Sequence, residues 1–442
     1  MSNLEILIIT AIILSVWVYR KTKREILSCS FMTVSFIGLS ATLLYFQSFI
    51  WEIELNSAAL WLLGSGMLAL CTGDLRAQSK YRRPASLPES QNKRFRFRYC
   101  NILIFIYMVS TALYVLEIRR LGNMIGYNDL TAIGEVKAGI DELSSKMNPV
   151  VRQMYKVVTA SGYIHILIFA NNVFLAGGKW YKELKHLVPF GCTVIITLAS
   201  GGRVNIYKIM IGLVFIVYMI LREGSLWKNL YIKKVLMTGF PLMLGFILLF
   251  SAVGIIVKDK VDNRKKVEIV KYISYYAGGS IQVFNIKVEE GRKIWAYKRF
   301  GNYTFSGIYK LLPIGRDAHS ERIGNGMVLL GSSGFAGNAM TIFGGAYQDF
   351  KAIGMIIFMY ITYYLFGKYY YKSILNTFSS YKRNRNLLVY TYCYVSIIAL
   401  AFYDNCFWIL FSPTGILTLL ILLIMYRIYF KKLLIVRHQF KR

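Results

Sequence analysis

Residues 26–50 read ILSCSFMTVSFIGLSATLLYFQSFI, 25 positions without one charged side chain. A helix rises about 1.5 Å per residue, so such a run can cross a hydrocarbon layer about 30 Å thick. Inside lipid no water is present to satisfy backbone amides, which forces the segment to pair its own N–H and C=O groups as a helix. The apolar residues are continuous and do not alternate, which excludes a transmembrane β-barrel.

Working outward, similar runs recur through all 442 residues. The expected spans are Leu4–Tyr19, Ile26–Ile50, Ala58–Cys71, Tyr99–Leu116, Val157–Leu175, Leu187–Ser200, Met210–Leu221, Val235–Val257, Ala352–Phe366, Leu387–Phe402 and Cys406–Tyr426. The fold class is thus an all-α polytopic integral membrane protein of about 11 (9–12) helices. The range reflects Leu187–Ser200 and Met210–Leu221, short runs that form either two crossings or one re-entrant pair around Ser200-Gly201-Gly202-Arg203. The N-terminus has no basic run and no small-residue cleavage site, so its first span is expected to be retained.

A net charge of +31 raises nucleic acid as a partner. The placement of the charge argues against it. Thirty of the 53 Lys and Arg fall in segments 20–25, 73–98, 176–186, 222–234, 367–386 and 427–442, while the alternate short loops hold eight. Cytoplasmic loops carry such an excess, so the N-terminus is expected outside and the C-terminus in the cytoplasm. The remaining 15 lie in 258–351, long enough to be exempt from that rule. The organisation reads as helices 1–8 over 1–257, a long extracytoplasmic loop over 258–351, and helices 9–11 with a cytoplasmic tail over 352–442.

The six cysteines include no CxxC pair, so neither a disulfide framework nor a zinc site is indicated. No Walker A sequence is present, which removes an ATP-driven pump. Secondary transporters carry charged residues inside their spans; here the polar exceptions are His165, Asn171 and Asn172, whose simplest role is helix–helix hydrogen bonding.

Four stretches concentrate chemistry on the expected outer side. Gly201-Gly202-Arg203 sets a guanidinium after a tight turn, as a phosphate fork or as an anchoring Arg at a helix end. Gly315–Arg322 holds Arg316, His319 and Arg322 with two acids, as a site or as a solvated loop. The third is Tyr275-Tyr276-Ala277-Gly278-Gly279-Ser280, followed by Phe300–Phe305, whose rings suit either sugar stacking or an interfacial belt. The fourth runs through Asn338-Ala339-Met340-Thr341 to Tyr347-Gln348-Asp349-Phe350. Glu52 and Glu54 are paired acids in the first outer loop, but two isolated carboxylates hold a divalent cation weakly, so no metal and no cofactor is expected.

The third and fourth stretches, the Arg after the glycine turn and the long late loop resemble bacterial O-antigen and capsular polysaccharide repeat-unit polymerases of the Wzy type. The match is to an Asn-x-x-Thr…Tyr-x-Asp-Phe-Gly pattern, from which this chain departs at Lys351, where Gly is common. The resemblance implies a glycosyltransferase of the bacterial inner membrane that joins undecaprenyl-diphosphate-linked oligosaccharides. Membrane lipids surround such an enzyme, and a flippase and a chain-length regulator are its expected partners. Arg203 and Arg316 would stabilise the leaving diphosphate, and His319 or Asp349 would accept a proton. Arg322, Lys208, Arg264, Tyr276, Asn338, Thr341 and Tyr347 would bind substrate. An O-antigen ligase or other lipid-linked-sugar glycosyltransferase, and a lipid-linked oligosaccharide flippase, are the alternatives.

Overall fold

A computed structural model describes residues 1–81, 94–124, 146–200, 203–224, 269–290, 300–309, 312 and 327–435. In chain order the long helices are α1 (Asn3–Lys21), α2 (Cys29–Ser48), α3 (Ser57–Lys80), α4 (Cys100–Asn123), α5 (Pro149–Ala170), α6 (Val188–Ala199), α7 (Arg203–Gly224), α8 (Ile269–Glu289), α9 (Thr341–Lys368), α10 (Ser380–Tyr390) and α11 (Pro413–Ile428). The described strands are a two-residue hairpin, Val328–Leu329 against Ala336–Gly337.

Helix starts follow local chemistry. Ser2, Ser28 and Asn56 accept backbone N–H bonds at the starts of α1, α2 and α3, and Ser2 with Glu5 closes a reciprocal capping box. Among the described residues eight helices are long and apolar enough to cross a membrane. α7, at 22 residues, has the length of a full crossing, whereas α6 has 12 residues and falls short. The expected span Val235–Val257 lies outside the described residues.

Two compact units emerge. The first contains α1–α3, α8, α9 and residues 393–416. Within it α3 and α9 run in the same direction at close range. Gly73 faces the Tyr360 carbonyl, and one turn on Asp74 and Ala77 face Gly367. A Cβ at Gly73 would collide with that carbonyl, so this approach requires glycine. α8 occupies 21 residues of the stretch read as an outer loop and lies along α2: Ser40 donates to the Ala277 carbonyl, and Gly278 packs on Leu44. It ends beside the loop between α2 and α3, where Asn285 donates to the Glu54 carbonyl (2.7 Å) and accepts from the Asn56 amide (2.9 Å).

The second unit contains α4–α7, α10 and most of α11. Its core is Tyr107, Tyr114, Leu121, Val158, Cys192 and Ile196. The polar residues foreseen in the span Val157–Leu175 bond within this unit: His165 of α5 to His186 and Tyr429, and Asn172 just after α5 to Phe95 and Glu183.

Basic segments gather within each unit. In the first, Gln78 donates to the Lys21 carbonyl (3.3 Å) and Lys372 lies 5.7 Å from the Tyr81 ring centre. In the second, Arg94 pairs with Glu183, Arg383 with Glu223, and Phe97 bridges to Leu434.

Candidate functional site

The beginning of α9 is unusual in its backbone. Thr341 has φ +57, and its amide donates to the Tyr403 carbonyl at 2.9 Å. Ten residues later Lys351 takes φ 60 and ψ −171, splitting α9 into Thr341–Phe350 and a longer second segment. That backbone region is open almost only to glycine, and it falls at the one position where the resembled pattern commonly has Gly.

Around this broken helix the first unit assembles its polar end. Both Asp349 oxygens accept backbone bonds, from the Tyr303 amide (3.0 Å) and the Thr304 amide (2.7 Å). Asn405 donates to Thr304 Oγ1 at 3.1 Å. Gly345 packs against the Tyr303 ring and the Asn405 amide, so residues 300–309 are clamped between α9 and the turn at 403–406.

Beside this clamp lies a small, partly open cleft lined by Tyr275, Tyr276, Ser280, Asn338 and Tyr403, with Leu330 and Val283 as apolar lining. An aromatic wall stands behind it: Trp51 and Phe335 meet edge-on, Phe335 stacks on Tyr275 (4.7 Å, 20°), and Tyr275 meets Tyr276 at 4.8 Å. The Tyr275 hydroxyl donates to the Ala336 carbonyl at 2.7 Å, fixing the ring. Ser280 donates to the Phe402 carbonyl and ties α8 to the turn that carries Tyr403. Burial, reinforced by the nearby Asp404 carboxylate, pushes the Tyr403 phenol up, so it remains a hydrogen-bond donor at neutral pH.

The third and fourth sequence stretches therefore converge. Tyr276 and Asn338, two of the residues the resemblance assigns to substrate, line the same cleft. Thr341 does not offer its hydroxyl to the cleft; it is fully buried, and its Oγ1 accepts the Phe343 amide at 3.3 Å as a helix start requires. The half-buried Tyr347 packs its ring on Phe284 at 6.0 Å. Asp349 anchors the 303–304 backbone. Lys208 belongs to the second unit, buried with its ammonium 5.5 Å from the Tyr392 ring centre. Arg203 opens α7, its side chain lying outside the described residues, as do Arg264, Arg316, His319 and Arg322. Glu52 and Glu54 are exposed, and among the described residues no three His, Cys, Asp or Glu are grouped to hold a metal.

Sequence reasoning missed Tyr403 and Asn405. Their only signal was that Tyr403-Asp404-Asn405 interrupts two apolar runs with polar residues.

Fold and composition define an all-α, multi-pass membrane protein, and its described residues include a polar, aromatic-lined cleft beside the start of a membrane helix. No family model, no curated protein and no solved structure matches the chain.

Lys351→Gly is expected to raise the melting temperature in detergent. A non-glycine residue in this region stores about 1–3 kcal/mol of strain. Glycine gives back about 0.5–1 kcal/mol through the entropy of the unfolded chain, so the net gain is positive. Lys351→Ala keeps the Cβ and should gain nothing. A lower melting temperature for the glycine variant would show that the break is relaxed.

Proposed function

We propose that this protein is a membrane glycosyltransferase that joins undecaprenyl-diphosphate-linked oligosaccharide repeat units into O-antigen or capsular polysaccharide at the outer face of the bacterial inner membrane. The observation that carries the reading is the cleft. Tyr275, Tyr276 and Tyr403 meet Asn338 there, and all but Tyr403 come from the stretches that carry the family resemblance. Aromatic faces pack on sugar rings, and phenol and amide groups hydrogen-bond to hydroxyls.

In the reaction an acceptor hydroxyl attacks the anomeric carbon of the growing chain. The bond from that carbon to the diphosphate breaks, undecaprenyl diphosphate leaves with the bonding pair, and the hydroxyl proton passes to a base. Arg203, Arg316 and Arg322 are the cations assigned to the charge that develops on the diphosphate. Both oxygens of Asp349 are engaged by backbone amides, which favours His319 as the proton acceptor. Lys208 and Arg264 are reserve cations in this reading.

Tyr403→Phe and Asn338→Ala each remove one polar group facing the sugar. Losing a hydrogen bond of ordinary strength, about 0.5–1.5 kcal/mol, corresponds to about 3–10-fold slower extension. The check is the chain-length distribution of surface polysaccharide at matched membrane protein levels. Unaltered ladders from both variants would remove the cleft from the reaction.

The proposed orientation has its own test. A reporter fused after Lys298 should be exported, and one fused after Lys382 should stay in the cytoplasm. A cytoplasmic reporter at 298 would overturn the sidedness.

A further inference from the structure

At one end of the second unit three basic segments are sewn together by a buried polar chain. Tyr107 and Tyr429 share a hydrogen bond (2.9 Å), Tyr429 bonds His165 Nε2 (3.0 Å), and His165 Nδ1 faces His186 Nδ1 at 3.0 Å. His186 in turn lies 3.6 Å from Glu183, which receives Asn172 (2.8 Å) and pairs with Arg94. Burial pushes the His186 imidazole down to about 4, so it adds no charge at neutral pH. Asn172 also donates to the Phe95 carbonyl and accepts from its amide, and Arg98 donates from its backbone to the Leu433 carbonyl.

The network holds like charges close to one another. Segment 94–98 exposes Arg96 and Arg98, and the turn that follows α11, Tyr429–Leu433, exposes Lys431 and Lys432. Across residues 179–186 only Glu183 and His186 turn inward, which leaves Lys179, Lys182 and Lys185 outside. The one acid among these segments, Glu183, is buried and already paired. Seven exposed cations held together repel one another in the absence of an anionic partner.

Their neighbours indicate which anion. Trp180 is 60% exposed, Tyr181 50% and Leu184 42%, and Tyr99 beside Arg98 is 65% exposed. Aromatic and apolar side chains interleaved with lysines belong at the level where phosphate headgroups meet acyl chains. A free phosphate or an acidic protein segment would use the cations and leave these four side chains in water.

We propose that this end of the second unit is a collar for anionic phospholipid headgroups. Lys179, Lys182 and Lys185, with Arg96 and Arg98, take the lipid phosphates. Trp180, Tyr181 and Leu184 sit against the upper acyl chains. The collar is independent of the catalytic reading and uses none of its residues.

The test is native mass spectrometry of the purified full-length protein in equal amounts of phosphatidylglycerol and phosphatidylcholine with matched acyl chains. Phosphatidylglycerol should be retained over phosphatidylcholine, with a preference that weakens as salt rises. The combined Lys179→Gln, Lys182→Gln and Lys185→Gln variant should bind phosphatidylglycerol about a hundred-fold less well, from about 1 kcal/mol for each cation at the headgroup level. The matching triple Lys→Arg variant should keep the preference. Equal retention of the two lipids by the unmodified protein overturns the proposal, whether or not the glutamine variant folds. So does a monodisperse glutamine variant that retains phosphatidylglycerol undiminished. Inorganic phosphate or a polyglutamate peptide that displaces the lipid at equal concentration would also overturn it.

Discussion

Arg203→Ala, compared at matched membrane levels, is expected to extend polysaccharide chains about 10²–10³ more slowly than the unmodified protein. The diphosphate gains negative charge as the glycosidic bond breaks. A guanidinium that follows this charge binds the transition state more tightly than the ground state, which is what accelerates a reaction. Arg203 is the first residue of α7, where the orphan N–H groups of the helix start add partial positive charge. Arg203→Lys keeps the unit charge and loses the two-pronged geometry, so it should recover only part of the rate. Arg316→Ala and Arg322→Ala should fail in the same way, with cells displaying single repeat units and few long chains. An Arg that merely anchors a helix end gives a different result: Lys serves as well as Arg, and Ala lowers protein level without changing the ladder of chains that do form.

Asp349 is expected to behave differently from a proton acceptor. Its two oxygens satisfy the Tyr303 and Thr304 amides, and Gly345 and Asn405 complete the clamp on that loop. Asp349→Ala leaves two partly buried N–H groups without acceptors, at about 1–3 kcal/mol each. The protein should then be sparse in the membrane and melt at lower temperature. Asp349→Asn keeps one acceptor oxygen and should be intermediate in stability, with extension per molecule within a few-fold of normal. Full-level, stable Asp349→Asn protein that extends no chains would make Asp349 the base and displace His319.

The helices that face lipid were legible because lipid imposes a composition. α2 was read as Ile26–Ile50 from a run with no charge; the helix is Cys29–Ser48, begun where Ser28 caps it. α9 was read at about half its length, from Ala352. Its first ten residues include Gly344, Gly345, Gln348 and Asp349, which resemble a loop. They are helical because residues 300–309 and 401–405 wrap them and satisfy their polar groups. α8 was legible only as an amphipathic stretch over Lys266–Asn285 within a loop: Ser280 and Asn285 look solvated in sequence, yet they bond to the Phe402 and Glu54 carbonyls inside the first unit.

At the site, the residues that came together were those marked by aromatic–glycine clusters, because close backbone approach and ring stacking leave a composition that sequence displays. Tyr403 left no such mark. Its place in the cleft depends on backbone bonds from Thr341 and Ile342 to residues 403 and 401, contacts more than 50 residues apart in sequence. The anomaly at Lys351 was visible as a departure from a pattern, and its meaning became clear only with the backbone angle.

The decisive experiment is reconstitution of the purified protein with undecaprenyl-diphosphate-linked repeat units in liposomes, following product length and carrier release together. A glycosyltransferase of this kind yields a ladder rising by whole repeat units, with one undecaprenyl diphosphate released per bond formed. Movement of intact lipid-linked oligosaccharide across the bilayer without a ladder and without carrier release would contradict it and assign the protein to transport.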